Sequence, residues 1–304
     1  MYEFDAVPMG RDAAALLLRQ GFAVLEIGDC TLEEEAFPVF AGLRHLRSLD
    51  PAEMRRWEVD RSLGRPTDPD DGLILRRADL TNPASHDARP ADNKNVFMFR
   101  PQLRGWLAQR GLGLGSDWDP FWDSQWSLWY SMYLIAQKVG YELDALTGWR
   151  YGILGGLLRT VGETKLRSQT YIDRRSDASD QIAKPHPDRS CLTVHLLEDH
   201  PGLTIRPDGT PASERLVPAT RGRVVVFAGT QLQIMTGGVE CVDELADGRT
   251  KTTVTGGLVR ALIHGAHLVD TPEQPWRGYR NMCVGFVKGF HDSNDKPYDV
   301  LEPH

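Results

Sequence analysis

From about residue 160 onward the chain is a series of short apolar runs parted by turns: KLRSQTYI, CLTVHLL, GLTIR, RVVVFAG, LQIMTGG, GLVRALIH and RNMCVGFV. Runs of about four to eight residues suit strands rather than helices. Many such strands at near-regular spacing, with Gly and Pro at the turns, can bury their apolar faces only on one another, as in a sandwich, barrel or jelly roll. The C-terminal half is therefore expected to be a β-structure.

The N-terminal half reads differently. Ala13 through Leu18 has a helical pattern stopped at Gly21 and passing into the strand-like FAVLEI. TLEEEAFPVFAGLRHL offers Thr31 as an N-cap with Glu34 three residues on, the spacing of a capping box. In SLDPAEMRRW, Asp50 is the cap candidate, with Pro51 at the first helical position and Glu53 in the first turn. Residues 63 to 93 are dense in Pro, Asp, Asn and Gly, with only the brief apolar LILRR, and read as a long surface connection. The longest helix is expected from DPFWDSQWSLWYSMYLIAQKVGYELDAL, capped by Asp119 with Pro120 behind it. Its stripe of Phe121, Trp122, Trp126, Trp129, Tyr133 and Ala136 would back a sheet. The GLGLG before it has neither a preceding strand nor GxGxxG spacing, so no dinucleotide site is expected there.

Composition narrows the function classes. With 41% hydrophobic and 25% charged residues the 304-residue chain can bury a large core, and no apolar run approaches a membrane span. The net charge of −7 argues against a nucleic-acid or anionic-membrane partner. Cys30, Cys191, Cys241 and Cys283 lack CxxC spacing, so neither a zinc knuckle nor a disulfide framework is expected. No basic start followed by an apolar core opens the sequence, which reads as cytoplasmic. Arginine outnumbers lysine roughly fourfold, a pointer to a GC-rich bacterial source.

Chemistry enters at KPHPDRSCLTVH. In a strand, residues two apart share a face, so His186 and Asp188 can aim into one cavity. Such a pair is either an exposed strand end or two-thirds of a 2-His-1-carboxylate site, which holds iron(II) on one face and leaves positions open. Candidates for the second histidine are His195, His200, His264 and His267. His264 and His267 are three apart and would face opposite ways on a regular strand. His264, closing the apolar ALI, is preferred. Arg280 stands just ahead of another apolar strand, where a buried guanidinium would call for a carboxylate, such as that of a dicarboxylic co-substrate.

The ordered set His186-x-Asp188, His264 and Arg280 resembles the isopenicillin N synthase-like family, mostly iron(II)/2-oxoglutarate dioxygenases and including deacetoxycephalosporin C synthase. The likeness runs along most of the chain. QGFAVLEIGD, TLEEEAFPVFAGL and SLDPAEMRRW resemble the family's opening strand and helices, and DNKNVFMFR resembles its DxKExF segment. HPDRSCLTVHLLEDHPGLTIRPDG is similar to its HxD strand and hairpin, and RVVVFAGTQLQIMTGG to the strand and TNG that follow. The resemblance implies one oxygenase domain over residues 1–304. A helical N-terminal region with a long loop (1–155) would precede a distorted double-stranded β-helix, or jelly roll, with an insertion near 236–257 (156–304).

It further implies His186, Asp188 and His264 as iron ligands and Arg280 as the partner of the 2-oxoglutarate distal carboxylate. Tyr171 would be a second donor to that co-substrate, with Gln169 beside it. Three features depart from the family. Arg280-Asn281-Met282 replaces Arg-x-Ser, Gln169 stands for Asn, and the Asp188 to His264 gap is longer. The implied reaction consumes O2 and 2-oxoglutarate, releases succinate and CO2, and hydroxylates, desaturates or cyclises a small-molecule, biosynthetic substrate. Asp188 at the carboxylate position argues against halogenation. The rival readings are a 2-oxoglutarate-independent iron oxidase, a zinc hydrolase built on His186, Asp188 and His195, and a non-catalytic jelly-roll binding protein.

Overall fold

The computed structural model describes residues 5–28, 32–57, 72–76, 94–172, 181–218, 221–244, 250–273 and 275–289. The elements in chain order begin β1 (Val7–Pro8), α1 (Arg11–Gln20), β2 (Phe22–Glu26), α2 (Leu32–Ser48), α3 (Pro51–Arg56), β3 (Gly72–Arg76) and β4 (Lys94–Phe99). Then come α4 (Leu103–Ala108), α5 (Asp119–Thr147), α6 (Gly152–Arg159), β5 (Lys165–Ile172), β6 (Gln181–His186), β7 (Leu192–Glu198), β8 (Leu203–Arg206) and β9 (Arg215–Leu216). The chain continues with β10 (Arg223–Ala228), α7 (Thr230–Met235), β11 (Gly238–Glu244), β12 (Thr250–Gly256), β13 (Ile263–His267) and β14 (Tyr279–Val287).

The strands form one large sheet of order β1-β2-β10-β7-β14-β5-β4-β3, a smaller one of order β6-β13-β8-β9 and a separate pair β11-β12, antiparallel except for β1 with β2. Alternation along each strand explains the layering. On β7, Leu192, Val194 and Leu196 face the helices, as do Val224, Val226 and Ala228 on β10. The opposite face carries Val225 and Phe227 of β10 against Leu203 and Ile205 of β8. At the other side of this interior, Tyr171, Met282 and Val284 of the large sheet meet Ile182, Ala183 and Ala266 of the small one. The two sheets therefore bury their inner faces on each other, while helices cover the outer face of the large sheet.

α5 lies on that outer face. Phe121, Trp122, Trp129, Tyr133 and Ala136 are buried as the pattern predicts, but Trp126 is half exposed. The indole N–H groups of Trp122 and Trp129 donate to the carbonyls of Gly113 and Thr164, each at 2.9 Å, so both rings are buried with their polar atoms satisfied. Asp119 is the first helical residue rather than the cap, and its carboxylate pairs with Arg104 at 2.5 Å. α1 ends where expected, at Gly21 with φ 80°, and Asp50 caps α3 by accepting from the backbone N–H groups of Ala52 and Glu53.

Two local expectations change. LQIMTGG contains the short helix α7, not a strand. LILRR, read as part of a connection, supplies β3, which pairs with β4. The insertion near 236–257 forms the hairpin β11–β12. Thr31 and most of the Pro- and Asp-rich stretch lie outside the described residues. Among the described residues, no helix is long and apolar enough to cross a membrane.

Candidate metal centre

β6 stops at His186 because Pro187 has no N–H to continue the ladder. Asp188 therefore sits on the turn into β7 rather than on a strand. That turn is held from outside by the start of α7. The N–H of Thr230 donates to the Asp188 carbonyl at 2.8 Å, that of Gln231 to Ser190 at 3.2 Å, and that of Gly229 to Cys191 at 3.0 Å. The approach is so close that a Cβ on Gly229 would lie 2.0 Å from the Ser190 carbonyl oxygen.

His264 on β13 is paired in register directly with His186. The result is a compact constellation. His186 Nε2 is 3.7 Å from Asp188 Oδ1, His264 Nε2 is 3.5 Å from Asp188 Oδ2, and one ligand atom from each residue lies within 4.8 Å of the others. Donors bonded at about 2.1 Å to one octahedral metal stand about 3 Å apart, so a small contraction suffices to close the set on a cation.

The neighbours fit the side chains for this role. Thr193 donates to Asp188 Oδ2 at 2.6 Å and shares a 2.8 Å hydroxyl contact with Ser190, which fixes the carboxylate. His264 Nδ1 faces the Leu262 carbonyl at 3.4 Å, leaving Nε2 for a ligand. Burial pushes the His264 imidazole down to about 4. Asp188 pulls the other way and His186 adds to the depression, so the ring is neutral and able to ligate. The Phe227 ring backs it at 4.6 Å. His186 is half exposed, whereas Asp188 and His264 are largely buried, so the constellation lies at a mouth of the interior.

The other candidate histidines have different partners. His267 lies 3.1 Å from Glu214, the strand being irregular between Ala266 and His267. His200 contacts the Val269 carbonyl at 2.6 Å and the edge of Trp276. His195 lies 3.3 Å from Glu198. The metal-ready set is therefore completed by His264, not by His195 as the zinc-hydrolase reading required.

Arg280, Tyr171 and Gln169 share the inner face of neighbouring strands, with Arg280 opposite Tyr171 and Met282 opposite Gln169. Arg280 is wholly buried, its guanidinium 5.5 Å from the Tyr171 ring. Its Nε–H donates to the His200 carbonyl at 2.9 Å, Nη1 lies 3.4 Å from the Met282 sulfur, and Nη2 donates to the Glu198 carboxylate. Gln169 is buried, with Nε2 against the same sulfur at 2.9 Å. Where the resemblance expects a serine hydroxyl there is thus a thioether between Gln169 and Arg280.

Glu198 is the residue that sequence reasoning missed. Strict alternation cannot put both His195 and Glu198 on the inner face. A register shift opposite Cys283 and Val284 inserts the extra residue that does. Burial alone would raise the Glu198 carboxyl, but the Arg280 charge, aided by His195, outweighs it and holds the group down to about 2. Beside this pair opens a cavity of about 680 Å³ walled by Val24, Phe37, Leu203, Val217 and Val225.

The sequence matches no known family pattern and no curated protein. Solved structures match it clearly. Dioxygenase for auxin oxidation 1 from Arabidopsis thaliana, solved as a 2-oxoglutarate complex, aligns with TM-score 0.63 and 12% identity over 95% of this chain and 90% of its own. The chain has the fold of the iron(II)/2-oxoglutarate oxygenases. A 2OG-Fe(II) oxygenase family protein from Caulobacter crescentus aligns on this oxygenase fold with TM-score 0.61 and 17% identity over 93% of this chain and 82% of its own. JOX2, solved with 2OG, Fe and JA, gives TM-score 0.63 and 13% identity over 92% and 70%.

Proposed function

We propose that the protein is an iron(II)- and 2-oxoglutarate-dependent oxygenase acting on a small-molecule substrate, with His186, Asp188 and His264 as the metal ligands. The carrying observation is that two imidazoles and one carboxylate, separated by up to 78 positions in sequence, converge at the mouth of an oxygenase-fold interior. We read the two facing sheets as a distorted double-stranded β-helix in a single oxygenase domain. A centre of this donor set supplies oxygen activation coupled to conversion of 2-oxoglutarate into succinate and CO2.

The chain's own residues set up that chemistry. Asp188 contributes the one anionic ligand, and Thr193 keeps its second oxygen from turning away. His264, neutral and dry, holds the inner side, while half-exposed His186 leaves the outer side open to substrate. Arg280 is the cation in this reading for a distal carboxylate, with Tyr171 and Gln169 beside it. Hydroxylation, desaturation and cyclisation are all within reach, and the enzyme is read as cytoplasmic and biosynthetic.

The test is anaerobic reconstitution with iron(II) followed by 2-oxoglutarate. A weak visible charge-transfer band is expected in wild type and is lost in His186→Ala. Iron uptake without any band at saturating 2-oxoglutarate would overturn the co-substrate, and no uptake would overturn the whole reading.

A further inference from the structure

The cation assigned to the co-substrate already has a carboxylate. Arg280 is wholly buried and Glu198 nearly so, and their contact neutralises both charges inside the protein. On the same guanidinium, Nε–H is taken by the His200 carbonyl and Nη1 faces the Met282 sulfur. Gly202 lies so close that a Cβ there would come within 2.9 Å of Arg280 Nε. A second carboxylate therefore cannot simply be added. Two buried anions would face one cation, with the excess charge uncompensated in a poorly solvated interior.

We propose that Glu198 is an internal competitor for the distal carboxylate of 2-oxoglutarate, occupying Arg280 at rest and giving it up only when the co-substrate seats. The inference rests on the function proposed above. The arrangement is built into the strand pairing, since only the register shift on β7 turns Glu198 inward. The fold also gives the displaced side chain somewhere to go. Glu198 itself lines the 680 Å³ cavity, whose wall carries Arg223 together with Arg221, the latter already paired with Glu33 and Glu34. Met282 sharpens the competition, because a thioether offers an incoming carboxylate no hydrogen bond. Glu198 is thus a specificity-determining residue. It raises the 2-oxoglutarate requirement and blunts the preference for a 2-oxo acid that carries a distal carboxylate.

The experiment compares wild type and Glu198→Gln, both loaded anaerobically with iron(II) and titrated with 2-oxoglutarate or with 2-oxopentanoate, the same chain without the distal carboxylate. The charge-transfer band gives half-saturation, and the rise in melting temperature of the manganese(II)-loaded protein gives a second readout. The half-saturating 2-oxoglutarate concentration is expected to fall about tenfold or more in Glu198→Gln, while that of 2-oxopentanoate stays put. Wild type should separate the two acids by less than about tenfold. An unchanged or higher 2-oxoglutarate requirement in the variant overturns the proposal. If the variant does not fold, a wild-type preference for 2-oxoglutarate of about tenfold or more overturns it, and a smaller one supports it. Iron uptake with no band from either protein would instead remove the co-substrate reading, and this inference with it.

Discussion

Asp188 owes its orientation to a hydroxyl five residues away. Without the 2.6 Å bond from Thr193, one carboxylate oxygen could rotate out of the constellation. Thr193→Val, which keeps the shape and removes the donor, should weaken iron(II) or cobalt(II) binding by about 10- to 100-fold in an anaerobic titration; unchanged affinity would show that the carboxylate is held otherwise. The Arg280–Glu198 pair makes a different prediction. Leaving one buried partner uncompensated costs about 3–5 kcal/mol, so Glu198→Gln should unfold at clearly lower denaturant in the absence of co-substrate. The pH dependence has a definite sign. Glu198 sits at about 2 when folded and near 4.3 in an unfolded chain, so its contribution is complete above about pH 5 and is lost as pH falls towards 2. The stability gap between wild type and Glu198→Gln should therefore close over that range in acid unfolding curves. At this scale the grouping of His186, Asp188 and His264 was partly readable, because HxD spacing and a histidine closing an apolar run are sequence features, while taking all three together came from the family resemblance. Glu198 was not readable, because alternation from His195 turns it outward and only strand pairing reveals the bulge.

The elements hold the site through one junction, where the start of α7 clamps the His186–Asp188 turn from outside. Gly229 is required there by contact with backbone, which cannot move aside as a flexible side chain can. Gly229→Ala should therefore cost about 1–3 kcal/mol in denaturant unfolding and weaken metal binding as well. A variant that kept both would show that the junction does not position Asp188. The same junction explains why α7 was misread. Six residues between two strands, with apolar Leu232, Ile234 and Met235, are too short for helical periodicity to outweigh the surrounding strand rhythm. The long α5 was legible because its stripe repeats over many turns. Trp126 departs from it, lying on the stripe's solvent edge while Trp129 stacks beside it at 5.5 Å.

For the whole molecule, a C-terminal β-structure whose strands bury their apolar faces on one another follows from the count and spacing of short apolar runs, whereas the jelly-roll arrangement was an implication of the family resemblance. The pairing order was not readable, since strands neighbouring in the sheet, such as β14 and β5, lie more than a hundred residues apart. That order creates the centre, because it brings β13 against β6 and so His264 against His186. The claim is tested most directly by counting bound iron(II) after anaerobic reconstitution of wild type, His186→Ala, His264→Ala and His267→Ala. The account predicts one iron per chain in wild type and His267→Ala, and loss of tight iron in the other two. Retention of iron by His264→Ala, or its loss from His267→Ala, would contradict it.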